Sequence, residues 1–113
     1  MLGLLGMNSW IDVRGASGQL YRYQMAENAK PRTAVSGTYL YVKPTKQGLA
    51  IIFAGQAVNL SEGSTELWRQ AADQHGATHL YTRLNVSGAT RDAELADVLA
   101  AETPVMNEAL QHH

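Results

Sequence analysis

Two runs of strand-forming residues, 37–43 (GTYLYVK) and 49–55 (LAIIFAG), flank a short stretch of turn formers, 44–48 (PTKQG). β-Branched and aromatic residues fill both runs, and Pro44 and Gly48 punctuate the stretch between them, so the two runs pair as an antiparallel hairpin. A second hairpin precedes it. Residues 9–14 read as a strand, Gly15-Ala16-Ser17-Gly18 as a turn, and residues 19–24, with Leu20, Tyr21 and Tyr23, as the returning strand. Residues 28–33 (NAKPRT) are a polar connection in which Pro31 excludes regular pairing.

After Gly55 the apolar period lengthens. Gly63 or Ser64 caps a helix through Glu66, Leu67, Trp68, Ala71 and Ala72 that stops at Gly76. Residues 78–86 form a third core strand. Thr90 then caps a helix over 91–101, with Leu95, Val98 and Leu99 on one face, and Pro104 opens a last short helix ending near Leu110. The order ββ–ββ–α–β–α–α predicts an α+β domain over residues 9–110: a three-stranded antiparallel sheet extended by an N-terminal hairpin, with helices packed on it. Residues 1–8 are expected to be a flexible N-terminal segment.

The 113 residues are 45% hydrophobic, enough for a core, and contain no cysteine, which removes disulfides, thiolate nucleophiles and zinc fingers together. The apolar run 49–54 is far short of the roughly 20 residues that cross a bilayer. The opening MLGLLGM lacks the basic lead of a signal peptide. No membrane partner is expected, and the cytoplasm is the expected location. Net charge is −1, but the first 50 residues carry six bases against two acids and the rest three bases against eight acids. The plain expectation is that the two halves pair with each other across the fold.

This order of elements, with Gly37-Thr38-Tyr39 in one strand and Phe53-Ala54-Gly55 in the next, resembles the GIY-YIG nuclease superfamily. The resemblance continues through Gln56-Ala57-Val58-Asn59-Leu60 and Gly76-Ala77-Thr78-His79. It ends with Arg91, Leu95, Asp97, Val98, Leu99, Pro104 and Asn107, and so spans roughly residues 15 to 108. It implies a domain whose active members hydrolyse DNA phosphodiesters with tyrosines of the two motifs, a helix arginine and a metal-holding glutamate. That chemistry needs a group to take the nucleophile's proton, a cation to stabilise phosphorane-like charge, and a guanidinium for the non-bridging oxygens.

Carried over residue by residue, Tyr39 matches the first tyrosine. Phe53 stands where the second is implied, so that hydroxyl is missing. Residues 61–64 (SEGS) occupy the place of the arginine, and Arg69 comes more than a helical turn later. The glutamate slot falls on Leu95, which extends the stripe of Val98 and Leu99, while Glu94 lies about 100° round the helix and is expected to be exposed. Gly37, Gly55, Asn59, Pro104 and Asn107 are read as motif and structural positions, Asn107 bonding loop backbone.

With most of the catalytic identities absent, the leading expectation is a GIY-YIG-like domain that has lost nuclease activity and serves binding or assembly. Its expected partner is a protein or a second copy, with weak or no duplex DNA binding and no cofactor. A second reading is an active Mg- or Mn-dependent endonuclease with a rearranged site drawn from Tyr39, Glu94 or Asp97 as metal ligand, and Arg69 or Arg91. A third is a structural or regulatory protein of a phage or mobile element. His75 and His79 stand four apart, but Gly76 breaks the helix between them, so they are not read as ligands. Trp10 and Trp68 are read as packing residues, as are the tyrosine pairs Tyr21/Tyr23 and Tyr39/Tyr41, each pair sharing one strand face.

Overall fold

The computed structural model describes residues 9–26, 34–62 and 65–111. The expected flexible segment 1–8, the connection at 28–33, the cap at Gly63 or Ser64 and the terminal histidines lie outside them. The elements run β1 (Trp10–Arg14), β2 (Leu20–Ala26), β3 (Gly37–Thr45), β4 (Gly48–Ala57), a 3₁₀ turn (Leu60–Glu62), α1 (Thr65–His75), β5 (His79–Leu84), α2 (Gly88–Ala101) and α3 (Val105–Gln111). The fold is α+β, as expected.

The strands form one five-stranded antiparallel sheet in the order β1-β2-β5-β3-β4. The N-terminal hairpin is an integral half of it, because β2 pairs with β5 at Gln24 opposite Thr82 and Ala26 opposite Leu80. The β3–β4 hairpin is tighter than its turn residues implied: Thr45 pairs with Gly48, and only Lys46 and Gln47 remain in the turn. Pro44 is tolerated in β3 because pairing with β5 has already ended at Val42, leaving the proline flanked by β4 alone. A register shift at Tyr41/Val42 places both Ile52 and Phe53 against Tyr41, which sends two consecutive apolar side chains to one face.

Both faces are covered, by different helices. On the first, Val98 of α2 with half-buried Leu95 and Leu99 packs on Val13, Tyr21, Tyr23, Leu40, Val42, Ala54 and Tyr81. On the second, Ala71, Leu67 and Trp68 of α1 and Met106 of α3 pack on Tyr41, Ile52, Phe53 and Leu80. The stripe Leu95/Val98/Leu99 therefore faces the sheet as its spacing required.

Two local readings change. The cap of α2 is Ser87, not Thr90: its Oγ accepts from Thr90 N at 3.3 Å, so the helix starts a turn earlier, at Gly88. Trp10 is 44% exposed and packs no core; the Arg22 guanidinium sits 3.7 Å above its ring, on the outer face of the hairpin. Pro104 does open α3, its carbonyl accepting from Glu108 N at 3.1 Å. The two halves do not neutralise each other among the described residues, because Arg22 pairs with Asp12, Arg83 with Glu94 and Arg69 with Glu66, each within its own half.

Candidate functional site

Tyr39 sits where β3 lies opposite Gly55 of β4. Its ring overhangs that glycine, and a Cβ there would come 2.8 Å from the Tyr39 Cζ and Oη and from Phe53. Tyr39 is one of a stack: its ring centroid is 5.3 Å from Tyr41 and 5.9 Å from Phe53, and Tyr41 meets Trp68 edge-on at 5.1 Å. Burial pushes the Tyr39 phenol up, with the Tyr41 hydroxyl donating to it and offsetting part of that rise; burial pushes Tyr41 up as well. A phenol shifted upward gives up its proton less readily at neutral pH, which opposes a role as general base. Gly37 is required by packing, since a Cβ would come 2.8 Å from the Leu60 Cδ1 and collide with the Arg83 carbonyl.

The carboxylates lie elsewhere. Glu94 is not exposed as expected: its side chain is 14% accessible and accepts two hydrogen bonds from Arg83, at 2.8 Å and 3.2 Å. The inward arc of a helix is wider than a strict apolar stripe, so Glu94 at its flank reaches β5 while Leu95 still packs. Asp97 is committed too. Its carboxylate accepts from Ser17 N at 2.8 Å, Ser17 Oγ at 2.7 Å and Tyr21 Oη at 2.7 Å, and its carbonyl accepts from Ala16 N at 3.0 Å. The Ser17 hydroxyl, then Tyr21, hold its carboxyl below the usual range; Tyr21 is pushed up in return. Gly15 is needed for this docking, because a Cβ there would overlap the Asp97 carboxylate. Asp97 thus fastens the first hairpin turn to α2.

The arginines are equally separated. Arg91 is 8% exposed and donates to the Gln56 Oε1 and the Asn85 carbonyl, both at 3.0 Å, while Gln56 donates to Asp92 at 2.6 Å. Arg69 is exposed on α1, 3.4 Å from Glu66 of its own helix. Leu95 occupies the glutamate slot as an apolar packing residue, and Phe53 is buried. Asn59 organises the loop after β4, accepting from Ser61 N at 2.9 Å and donating to Glu62 at 3.1 Å. Asn107 bonds strand backbone rather than a loop: it donates to the Ala54 carbonyl at 2.8 Å and accepts from Ala54 N at 2.9 Å.

Alternation along β3 and the helix contacts settle what converges. Tyr39 shares the α1/α3 face with Tyr41 and Phe53, whereas Glu94, Asp97 and Arg91 belong to α2 on the opposite face. Tyr39 does not come together with Glu94, Asp97 or Arg91; Arg69, on α1 at the side of Tyr39, is exposed and paired with Glu66. Among the described residues there is no cluster of three or more His, Cys, Asp or Glu that could hold a metal ion, and no helix long and apolar enough to cross a membrane. Sequence reasoning missed Arg83 as the partner of Glu94. The available signal was its parity with Tyr81, which puts an arginine on a face covered by a helix, where it needs a carboxylate. No protein-family model, curated protein or solved structure matches the chain.

Proposed function

We propose that the chain is a non-catalytic binding or assembly domain of GIY-YIG type. The resemblance is supported by the hairpin that carries Gly37-Thr38-Tyr39 opposite Gly55, followed by a helix and a strand, β5, returning antiparallel beside β3. The single observation that carries the loss of catalysis is that Tyr39 stands on one face of the sheet and Glu94 and Asp97 on the other, each carboxylate already bonded to protein groups. Phosphodiester hydrolysis needs base, cation ligand and guanidinium within hydrogen-bond reach of one phosphate.

Incubation with supercoiled plasmid in Mg²⁺ and then Mn²⁺ tests this. The expected result is no nicking above buffer, unchanged by Tyr39→Phe. Metal-dependent nicking that Tyr39→Phe abolishes would establish the active nuclease instead. Duplex binding is expected to be no tighter than a Kd of about 10⁻⁵ M at physiological salt, because the described cations are dispersed. Arg14 and Arg22 lie on the first hairpin, Lys46 lies in the β3–β4 turn, and Arg69 is on α1.

A further inference from the structure

The two edges of the sheet are finished differently. On β4, the Asn107 side chain takes both the N–H and the carbonyl of Ala54, so the middle of that edge is capped by α3. On β1, hydrogen bonds from Met25 N to the Ser9 carbonyl (2.8 Å) and from Gly15 N to the Gln19 carbonyl (2.9 Å) fix the phase of the pairing with β2. Strict antiparallel alternation then points the backbone groups of Ile11 and Val13 toward β2 and those of Trp10, Asp12 and Arg14 outward. No hydrogen bond to these outward groups occurs among the described residues. β1 has no proline, no lysine and no bulge, and its register with β2 is continuous; what limits pairing along it is its five-residue length and the charges of Asp12 and Arg14.

We infer that β1 is a self-association edge, along which a second copy of this chain adds its own β1 antiparallel across a two-fold axis. The charges on the strand favour the copy and the register: Asp12 keeps its bonds to Arg22 within its own copy, and Arg14 of the second copy, which otherwise donates to the Gly18 carbonyl, adds to that exposed pair. Asp12 and Arg14 are two residues apart and opposite in sign. An antiparallel two-fold that sets Val13 against Val13 of the second copy therefore sets each Asp12 against an Arg14. The same register lets the outward N–H and carbonyl groups of Asp12 and Arg14 bond each other directly. The alternative register, one step away, would oppose Asp12 to its own copy. The contact is short, so the dimer is weak and concentration-dependent. This inference rests on reading the chain as an assembly domain, and names the partner.

Sedimentation equilibrium of the full chain from micromolar to millimolar concentration, with amide exchange on the same samples, provides the test. The expected result is a monomer–dimer equilibrium in which the Asp12 and Arg14 amides gain protection as concentration rises. Ile11 and Val13 should be protected throughout. Asp12→Pro removes an outward N–H without touching a β1–β2 bond and should leave monomer at every concentration. Because that variant also loses the Arg22 contact, Arg14→Asp, which leaves the Asp12–Arg22 pair in place, supplies an independent arm. It should weaken the dimer about tenfold or more, and Arg14→Lys, which keeps the charge, should weaken it less. A monomer at millimolar concentration, or a dimer indifferent to all these variants, overturns the proposal. The plasmid assay separates the outcomes: a monomer that does not nick DNA leaves an assembly domain with a different partner, whereas a nicking enzyme removes that reading altogether.

Discussion

On the α2 face of the sheet the charged groups that reach inward are tied to protein partners: Glu94 to Arg83, Asp97 to Ser17 and Tyr21, Arg91 to Gln56 and Asn85. On the opposite face the contacts around Tyr39 are between rings, with Tyr41, Phe53 and Trp68 stacked in sequence. One face is fastened by polar pairs around an apolar centre, the other by aromatic packing. A carboxylate used as a fastener cannot also serve as a metal ligand without releasing what it holds. Among the described residues, no charged group shifts the Tyr39 phenol. The division keeps Tyr39 apart from Glu94, Asp97 and Arg91.

The sharpest break of the aromatic face is Phe53→Ala, which removes the ring shared by Tyr39 and Tyr41. Urea denaturation should show a loss of about 3–5 kcal/mol. On the α2 face, Glu94→Ala leaves the half-buried Arg83 without its carboxylate and should cost about 1–3 kcal/mol. Replacing both members, Arg83→Met with Glu94→Leu, should recover most of that loss. A near-neutral Glu94→Ala would show that the pair fastens nothing.

Asp97 distinguishes the faces by pH. Its carboxyl is depressed in the folded chain, so its contribution is complete above the ordinary aspartate value of about 4 and is lost as pH falls through the lower folded value. Urea midpoints measured down an acid series should fall less steeply in Asp97→Asn than in the unmodified chain. Asp12, also depressed through its bond with Arg22, would keep part of the slope in both. The smallest effect belongs to Tyr39→Phe. It keeps the ring and removes only the hydroxyl that accepts from Tyr41, and should change stability by about 1 kcal/mol or less.

Local signals carried much of the architecture. The β3–β4 hairpin was legible because its strands are adjacent in sequence and Pro44 and Gly48 bracket the turn. The period of two correctly put Tyr39 with Tyr41 and Tyr21 with Tyr23, and helical spacing put Leu95, Val98 and Leu99 on the buried side of α2. Asn107, a backbone ligand by its place after Pro104, is one, although to a strand.

What only tertiary structure decided is how those faces meet. No spacing in the chain announces that β2 pairs with β5 across more than fifty residues and makes the first hairpin part of a single sheet. Nor does any spacing say that α2 covers the face opposite Tyr39. Spacing along α2 alone puts Glu94 at the exposed flank, but the arginine that holds it comes from β5. Trp10 is of a type that is usually buried, yet no described helix covers the outer face of its hairpin. Periodicity identifies which side chains share one face of an element. Which element covers that face is set by non-local burial and pairing, and on that depends whether Tyr39 and the carboxylates can act on one substrate.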